Sequence, residues 1–345
     1  MQSTEDKTRR LIGLPLAEKE APACDDPPKS TGYRMVALDL DGTLLGSDHK
    51  ISDASVEYLR RLHDRGFVVA VATGRSPSST IEVTKRLDFP FSKSRGVSGF
   101  PIVCLNGARG LVLQPRKEPK DDERPASKDG LSLCDEFNVI ELFHQPVPRE
   151  ITEKTLRLAR EMDLVSNYYI GNEIHAQALK DTHKKFTDRY TELTGTHILP
   201  CDDDYAALME KGLPSKLIMF CETDKIDEVH STLVKELGTG AHVIRGSPPW
   251  FVEILNKDVC KGKGLGLLCK RLGVRLDETI AFGDGDNDIE FLSMAGHGIA
   301  MKNGRENLKA IADDVTQWSN EEDGVIQALS CLEEKGFLHF PCNEK

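Results

Sequence analysis

No apolar run in the 345-residue sequence is long enough to cross a membrane, which argues against a helical membrane protein. The nine cysteines are scattered, odd in number and form no C-x-x-C pair. That pattern excludes a disulfide framework and a thiolate zinc site and fits reduced thiols. Cys104, Cys221 and Cys269 sit in apolar runs and read as core residues. The ten histidines include no H-E-x-x-H pairing, so none is assigned to a metal. Neither G-x-x-x-x-G-K-[ST] nor G-x-G-x-x-G occurs, so a Walker loop and dinucleotide binding have no support. Basic excess is also lacking. The formal net charge of −11 argues against nucleic acid as a partner. The run Arg9 to Pro15 is too short for a signal sequence, and Glu5, Asp6, Glu18 and Glu20 argue against a transit peptide. The expected location is the cytoplasm.

What is present begins with Asp39-Leu40-Asp41-Gly42-Thr43-Leu44-Leu45, at the end of the apolar run Met35 to Leu38. That run reads as a buried strand closed by two acids. Buried carboxylates are costly unless they meet a cation or hydrogen-bond donors. Side chains at i and i+2 of a strand point to one side. Asp39 and Asp41 can therefore face one site at the strand's carboxyl end, where open α/β sheets place ligands. An ordinary Asp-Gly turn is the alternative at this point.

A second acidic group, Gly283-Asp284-Gly285-Asp286-Asn287-Asp288, follows the apolar run Thr279 to Phe282. Carboxylate oxygens after a strand suit a hard cation such as magnesium. The alternate spacing of Asp284, Asp286 and Asp288 also matches the start of an EF-hand loop. That loop needs Gly at position 6 and Glu at position 12, where this chain has Ile289 and Ala295.

Two more segments bear on phosphate. Thr73-Gly74-Arg75 follows the apolar strand Phe67 to Ala72; its hydroxyl and backbone N–H groups can hold a phosphate oxygen, or it is a polar loop. Lys261-Gly262-Lys263-Gly264 opens a helix, and a lysine there opposes the helix dipole unless an anion is near. Lys263 reads as a solvated lysine.

Taken in order, DLDGTLL at 39–45, TGR at 73–75, Lys261 and GDGDND at 283–288 resemble the four motifs of the haloacid dehalogenase (HAD) superfamily. Asn106-Gly107-Ala108, the run Gly298 to Asn303 and the run Asn320 to Val325 resemble its Cof-type phosphatases in particular. The resemblance covers roughly residues 34 to 332. It implies Asp39 as the nucleophile forming an aspartyl-phosphate, and Asp41 as general acid and then base. It implies Mg²⁺ held by the Asp39 carboxylate, the Asp41 backbone carbonyl and Asp284, with Asp288 assisting. It also implies that Thr73, Gly74, Lys261, Asn287 and the Leu40 amide hold the phosphoryl oxygens. Relatives with dehalogenase activity lack an acid at the position of Asp41, so the resemblance points to a phosphatase. Gly285 departs from the family's usual small hydroxyl residue, with little effect expected on the metal. Asp286 is expected to be solvated.

The expected activity is magnesium-dependent hydrolysis of a small soluble phosphomonoester, a sugar phosphate or a nucleotide- or cofactor-related phosphate. Two alternatives are a sugar phosphomutase using the same intermediate and a non-catalytic phosphate-ligand sensor. A mutase cap should present arginines; Arg149, Arg157, Arg160, Arg189 and Arg245 form no recognisable cluster in sequence. Oligomeric state is not legible.

The fold class implied is α/β: a Rossmann-like, mostly parallel sheet with an inserted α+β cap. Asn106 and Lys261 are 155 residues apart, too far for one βα crossover. The expected division is an extension at 1–33, a discontinuous catalytic core at 34–107 and 255–345, and a cap at 108–254. Core strands are expected at 35–40, 67–72, 101–105, 280–283, 298–301 and 315–318. Ser52 is expected to cap a helix that Gly66 ends. Residues 1–33 and the charged segment 114–130 read as flexible.

Overall fold

The computed structural model describes residues 32–89, 99–115, 137–201, 205–246 and 248–340. Most of the 1–33 extension and of the 114–130 segment therefore lies outside the described residues. The four residues of these segments that are described have defined places. Tyr33 beside Gly32 is buried and its N–H bonds Phe337 O at 2.7 Å, and Gln114 and Pro115 close a strand.

In chain order the strands are β1 (Met35–Leu38), β2 (Val68–Ala72), β3 (Phe100–Cys104), β4 (Arg109–Pro115), β5 (Phe137–His144), β6 (Ser166–Ile170) and β7 (Glu173–Ala176). They continue as β8 (Ile198–Pro200), β9 (Lys216–Phe220), β10 (Ala241–Arg245), β11 (Phe251–Asn256), β12 (Thr279–Gly283), β13 (His297–Ala300) and β14 (Asp314–Val315). The helices are α1 (Asp53–Asp64), α2 (Pro77–Thr84), α3 (Arg149–Glu161), α4 (Asp181–Thr194), α5 (Ala206–Lys211) and α6 (Ile226–Leu237). Then come α7 (Lys261–Leu272), α8 (Ile289–Met294), α9 (Glu306–Ile311) and α10 (Gly324–Glu334). The described chain divides into two compact units, one of residues 32–70 and 272–340, the other of the described residues from Val71 to Arg271.

In the first unit the parallel order is β14-β13-β12-β1, followed by the start of β2. Every residue of β1 and β12 is buried, as a strand covered on both faces requires. Expected and observed strands agree closely except at the last one. Thr316 N still bonds Ala300 O at 2.9 Å, but the Thr316 hydroxyl then takes the Trp318 N–H at 3.1 Å. That side-chain turn ends the strand at Val315 rather than 318. The Ser52 hydroxyl accepts the Ser55 N–H at 3.0 Å, so α1 starts where expected; Val56, Leu59 and Leu62 face the core. Gly66 follows with φ +90°, a left-handed stop.

Glu333 of α10 ties that helix to α1. Its carboxylate accepts from Arg61 at 2.8 and 3.1 Å, from the Tyr58 hydroxyl at 2.9 Å, and from Arg65. Burial pushes the carboxyl up, but the hydrogen bonds from Arg61, Arg65 and Tyr58 together outweigh it and hold its pKa at about 2. A depressed carboxyl stabilises the fold above its unfolded value, near 4.5, and that contribution is lost as pH falls toward 2. Glu333→Gln is therefore expected to be less stable than wild type at neutral pH, with the gap closing between about pH 4.5 and 2. Denaturant melts across that range check it, and a gap independent of pH would contradict it.

In the second unit the end of β2 pairs parallel with β3, and β3-β4-β5 continue antiparallel. Strands β4 and β5 were not anticipated from sequence. Six further strands form a sheet of order β10-β11-β9-β6-β7-β8. On one face Tyr168, Leu217, Met219, Val252 and Ile254 pack with Leu156 of α3 and with Val229 and Leu233 of α6. Strand alternation puts Tyr169, Lys216, Phe220, Phe251 and Glu253 on the other face.

Candidate active site

The register Leu38↔Phe282 continues one residue past β1, because Asp39 N–H bonds Phe282 O at 3.0 Å. Two adjacent parallel strands thus end together, one in Asp39 and the other in Asp284. Asp39 is 5% exposed and Asp288 is fully buried. Carboxylate oxygens of Asp39, Asp284 and Asp288 lie within 4.8 Å of one another. Among the described residues this is the one such group of potential metal ligands. Three carboxylates this close, with Asp39 and Asp288 buried, repel one another unless a cation or donors compensate. An all-oxygen set suits a hard divalent cation rather than a thiophilic one.

Local backbone chemistry explains how the acids are held. One oxygen of Asp288 accepts the Asp284 and Gly285 N–H groups, both at 3.0 Å, and so folds the acidic loop back on itself. Gly283 makes room for it, since a Cβ there would lie 2.5 Å from Asp288 Cγ. Gly42 has φ +74°, and a Cβ on it would lie 2.3 Å from Asp284 Oδ2. The Thr43 hydroxyl donates to Asp284 Oδ1 at 3.2 Å. Leu40 is buried, and its carbonyl accepts the Thr43, Leu44 and Leu45 N–H groups.

Asp41 stands apart from the three-carboxylate group. Its side chain is 47% exposed, and His49 Nδ1 lies 3.5 Å from its Oδ1. Asn287 is part-exposed in a single helical turn before α8; a Cβ on Gly285 would lie 2.7 Å from its Oδ1, so the glycine gives the amide its space. Asp286 is exposed as expected, and is also bound by Arg305 and Asn307, each at 2.7 Å.

Thr73, Gly74 and Lys261 belong to the second unit. Thr73 N–H bonds Val103 O at 2.9 Å and Asn106 N–H bonds Thr73 O at 3.0 Å, so the loops after β2 and β3 are zipped together. Leu105 and Asn106 both adopt left-handed backbone, at φ +54° and +55°. Side chains there cost energy and cluster at functional sites. Lys261 opens α7 and is 1% exposed. Two glycines let that helix start approach the β3 loop. A Cβ on Gly107 would lie 2.2 Å from Cys260 O, and one on Gly264 would lie 2.7 Å from the Gly107 Cα. Lys263 is exposed and bonds Asp258 at 3.2 Å.

A buried polar chain in the second unit was missed from sequence. Asn106 Nδ2 donates to Glu253 Oε2 at 3.1 Å, Lys216 Nζ donates to Glu253 Oε1 at 3.1 Å, and the Gly74 carbonyl lies 3.5 Å from Lys216 Nζ. The Lys216 ammonium also sits over the Tyr169 ring. Burial pulls the Lys216 pKa down, but Glu253 and Tyr190 outweigh burial and hold it above its ordinary value. The available signal was a lone acid inside the apolar run Trp250 to Ile254. Glu253→Gln leaves the lysine buried without its counter-charge and is expected to cost about 3–5 kcal/mol. Replacing both partners by apolar residues should recover much of that loss. Denaturant titration of the single and double variants checks this; a single variant as stable as wild type would contradict it.

Four of the five arginines named from sequence have separate partners. Arg149 pairs with Glu210, Arg157 with Glu161 and Arg245 with Asp227, while Arg189 lies over the Trp250 ring. Tyr168 faces the apolar side of its sheet and stacks on Tyr205. Among the described residues no helix is long and apolar enough to cross a membrane.

Comparison with known proteins agrees with this geometry. The family model described as haloacid dehalogenase-like hydrolase matches residues 36–124 and 126–329. The 5-amino-6-(5-phospho-D-ribitylamino)uracil phosphatase of Bacillus subtilis is 28% identical over 306 residues, covering 86% of this chain and 96% of its own. A chloroplastic endoribonuclease YBEY of Arabidopsis thaliana is 29% identical over 314 residues, but those residues span only 48% of its length. The chain thus spans about half of that relative. The crystal structure of a haloacid dehalogenase-like hydrolase from Bacteroides thetaiotaomicron matches with TM-score 0.68 and 26% identity, over 87% of this chain and 99% of that one. With the motifs in order and the acids gathered at adjoining strand ends, the chain belongs to the haloacid dehalogenase-like hydrolases and is a phosphoric monoester hydrolase.

Proposed function

We propose that the protein is a magnesium-dependent phosphatase of small soluble phosphomonoesters, working through an aspartyl-phosphate on Asp39. The observation that carries this reading is the Asp39–Asp284–Asp288 group, two of its acids buried and the third half-buried, with its oxygens within 4.8 Å of one another. Asp39 and Asp284 would hold the cation with the Asp41 backbone carbonyl, and Asp288 would assist. When bound, the cation offsets repulsion between these carboxylates and the anionic phosphoryl group.

The chain's own groups account for the remaining steps. An Asp39 oxygen attacks phosphorus, and the bond from phosphorus to the ester oxygen breaks. Asp41 gives its proton to the leaving alcohol, then takes one from the water that attacks phosphorus and frees Asp39. Lys261, Thr73, Gly74, Asn287 and the Leu40 amide would bind the phosphoryl oxygens; positioning and charge stabilisation supply most of the catalysis in phosphoryl transfer. The 108–254 region would be the cap that shields the reaction from water and chooses the leaving group. A sugar phosphate or a nucleotide- or cofactor-related phosphate fits this reading, and the B. subtilis relative is itself named for a phosphorylated ribityl compound. Cytoplasmic location is part of the same proposal.

The test is phosphate release from sugar phosphates, nucleotides and pyridoxal phosphate, with magnesium and with a chelator. Release that needs magnesium supports the reading. Isomerised sugar phosphate in place of phosphate would move it to the mutase. Binding without turnover would move it to the sensor.

A further inference from the structure

The turn that carries Asp41 is held by residues from the far end of the chain. Asn303 Nδ2 donates to Gly42 O at 2.7 Å, and Asn303 Oδ1 accepts the Asn320 N–H at 3.0 Å. Asn320 Nδ2 donates to Leu45 O at 2.8 Å. Asp41 and Leu45 are themselves joined as a β-bridge, so the two asparagines grip the turn at both ends. Beyond it, Ser47 N–H bonds Glu321 Oε1 at 2.6 Å, and the Ser52 and Ser55 hydroxyls bond Asp323 Oδ1 at 2.5 and 3.1 Å.

Asn303 is in turn fixed to the acidic loop. Met301 N–H bonds Gly283 O at 3.0 Å and Arg305 N–H bonds Asp284 O at 2.9 Å. The Met301–Arg305 turn therefore rests on the backbone of Asp284 while its asparagine side chain reaches the Asp41 turn. Gly304 allows this close seat, since a Cβ there would lie 2.8 Å from Met301 O and 3.3 Å from Asp284 Cα.

We propose that Asn303 and Asn320 are positioning residues that set the Asp41 carboxyl relative to Asp284, and so control proton delivery to the leaving alcohol. This rests on the phosphatase reading above. Asp41 is half-exposed and is carried by the turn that its β-bridge to Leu45 closes. Two amide side chains bonded to the Gly42 and Leu45 carbonyls restrain that turn. Each amide-to-carbonyl bond is of the size that shifts a local equilibrium about tenfold or less.

Proton delivery to the leaving alcohol can be separated from the later hydrolysis of the aspartyl-phosphate, a step all substrates share. An alkoxide leaves poorly without a proton, whereas p-nitrophenolate leaves readily without one. Asn303→Ala, Asn320→Ala and the shape-preserving Asn303→Asp should each lower kcat/KM about tenfold on an alkyl phosphate. On p-nitrophenyl phosphate they should keep most of their kcat/KM, which reports formation of the aspartyl-phosphate and not its hydrolysis, the step in which Asp41 serves both substrates alike. The measurement is steady-state kinetics with p-nitrophenyl phosphate and with a panel of hexose, pentose and glycerol phosphates, alongside thermal melts. Equal loss of kcat/KM on both substrate types, or no loss on either, in folded variants overturns the positioning role. Failure of the wild type to release phosphate from any compound would instead overturn the phosphatase reading, and this proposal with it.

Discussion

Replacing Asp39 with Asn is expected to cut phosphate release by about 10⁴-fold or more, the scale seen when a nucleophile is removed and binding is left in place. The substitution keeps the shape of a side chain that is 5% exposed, so the fold should survive. Its effect on stability has a definite sign. Asp39, Asp284 and Asp288 bring their oxygens within 4.8 Å of one another, and like charges so placed disfavour the folded state. Neutralising one should leave the melting temperature in chelator equal to or above that of wild type. The rise in melting temperature on adding magnesium should shrink, because stabilisation by a ligand follows its affinity for the folded state. Turnover assays and melts with and without magnesium check both halves. Retained turnover, or an undiminished magnesium effect, would contradict the role given to Asp39.

Gly42→Ala is expected to be strongly damaging although residue 42 carries no functional group. The backbone at φ +74° favours glycine, which alone costs an alanine about 1–2 kcal/mol. The larger effect is steric, because the new Cβ would lie 2.3 Å from Asp284 Oδ2 and would force that carboxylate away from Asp39 and Asp288. Misplacing a reacting or ligating group by about 1 Å can cost about 10²-fold in rate. Loss of at least that size is expected in a protein that still folds. Gly46→Ala on the same turn is the control. Its nearest neighbour is Asp48 Oδ1 at 3.4 Å, so it should stay close to wild type. Kinetics and far-UV spectra of the two variants decide the matter; comparable activity in both would contradict the account of Gly42.

Much of this was legible because the chemistry sits where apolar runs stop. The run Met35–Leu38 ending in Asp39 and the run Thr279–Phe282 ending in Gly283-Asp284 fixed both the strands and the acids. The α1 boundaries were equally readable, from a hydroxyl cap at Ser52 and a glycine at 66. What sequence did not reveal depends on contacts between distant residues. Strands β4 and β5 are an antiparallel pair whose second member alternates buried and exposed residues only loosely. The left-handed Leu105–Asn106 pair is an arrangement that local propensity does not favour for leucine. The Glu253–Lys216 pair joins two strands through side chains 37 positions apart. Asn303 and Asn320 lie in segments that carried the family resemblance, yet their bonds to the Asp41 turn emerge only when residues 42 and 303 are brought together.

The most direct test of the central claim is chemical capture of the intermediate on Asp39. Enzyme mixed with magnesium and the best phosphate ester is quenched in acid within one turnover, then treated with borohydride, which reduces an acyl phosphate to an alcohol. Peptide mass spectrometry should find homoserine in place of Asp39, and only in samples that received substrate. Phosphate release with Asp39 unmodified, or the reduced residue at another acid, would contradict the account.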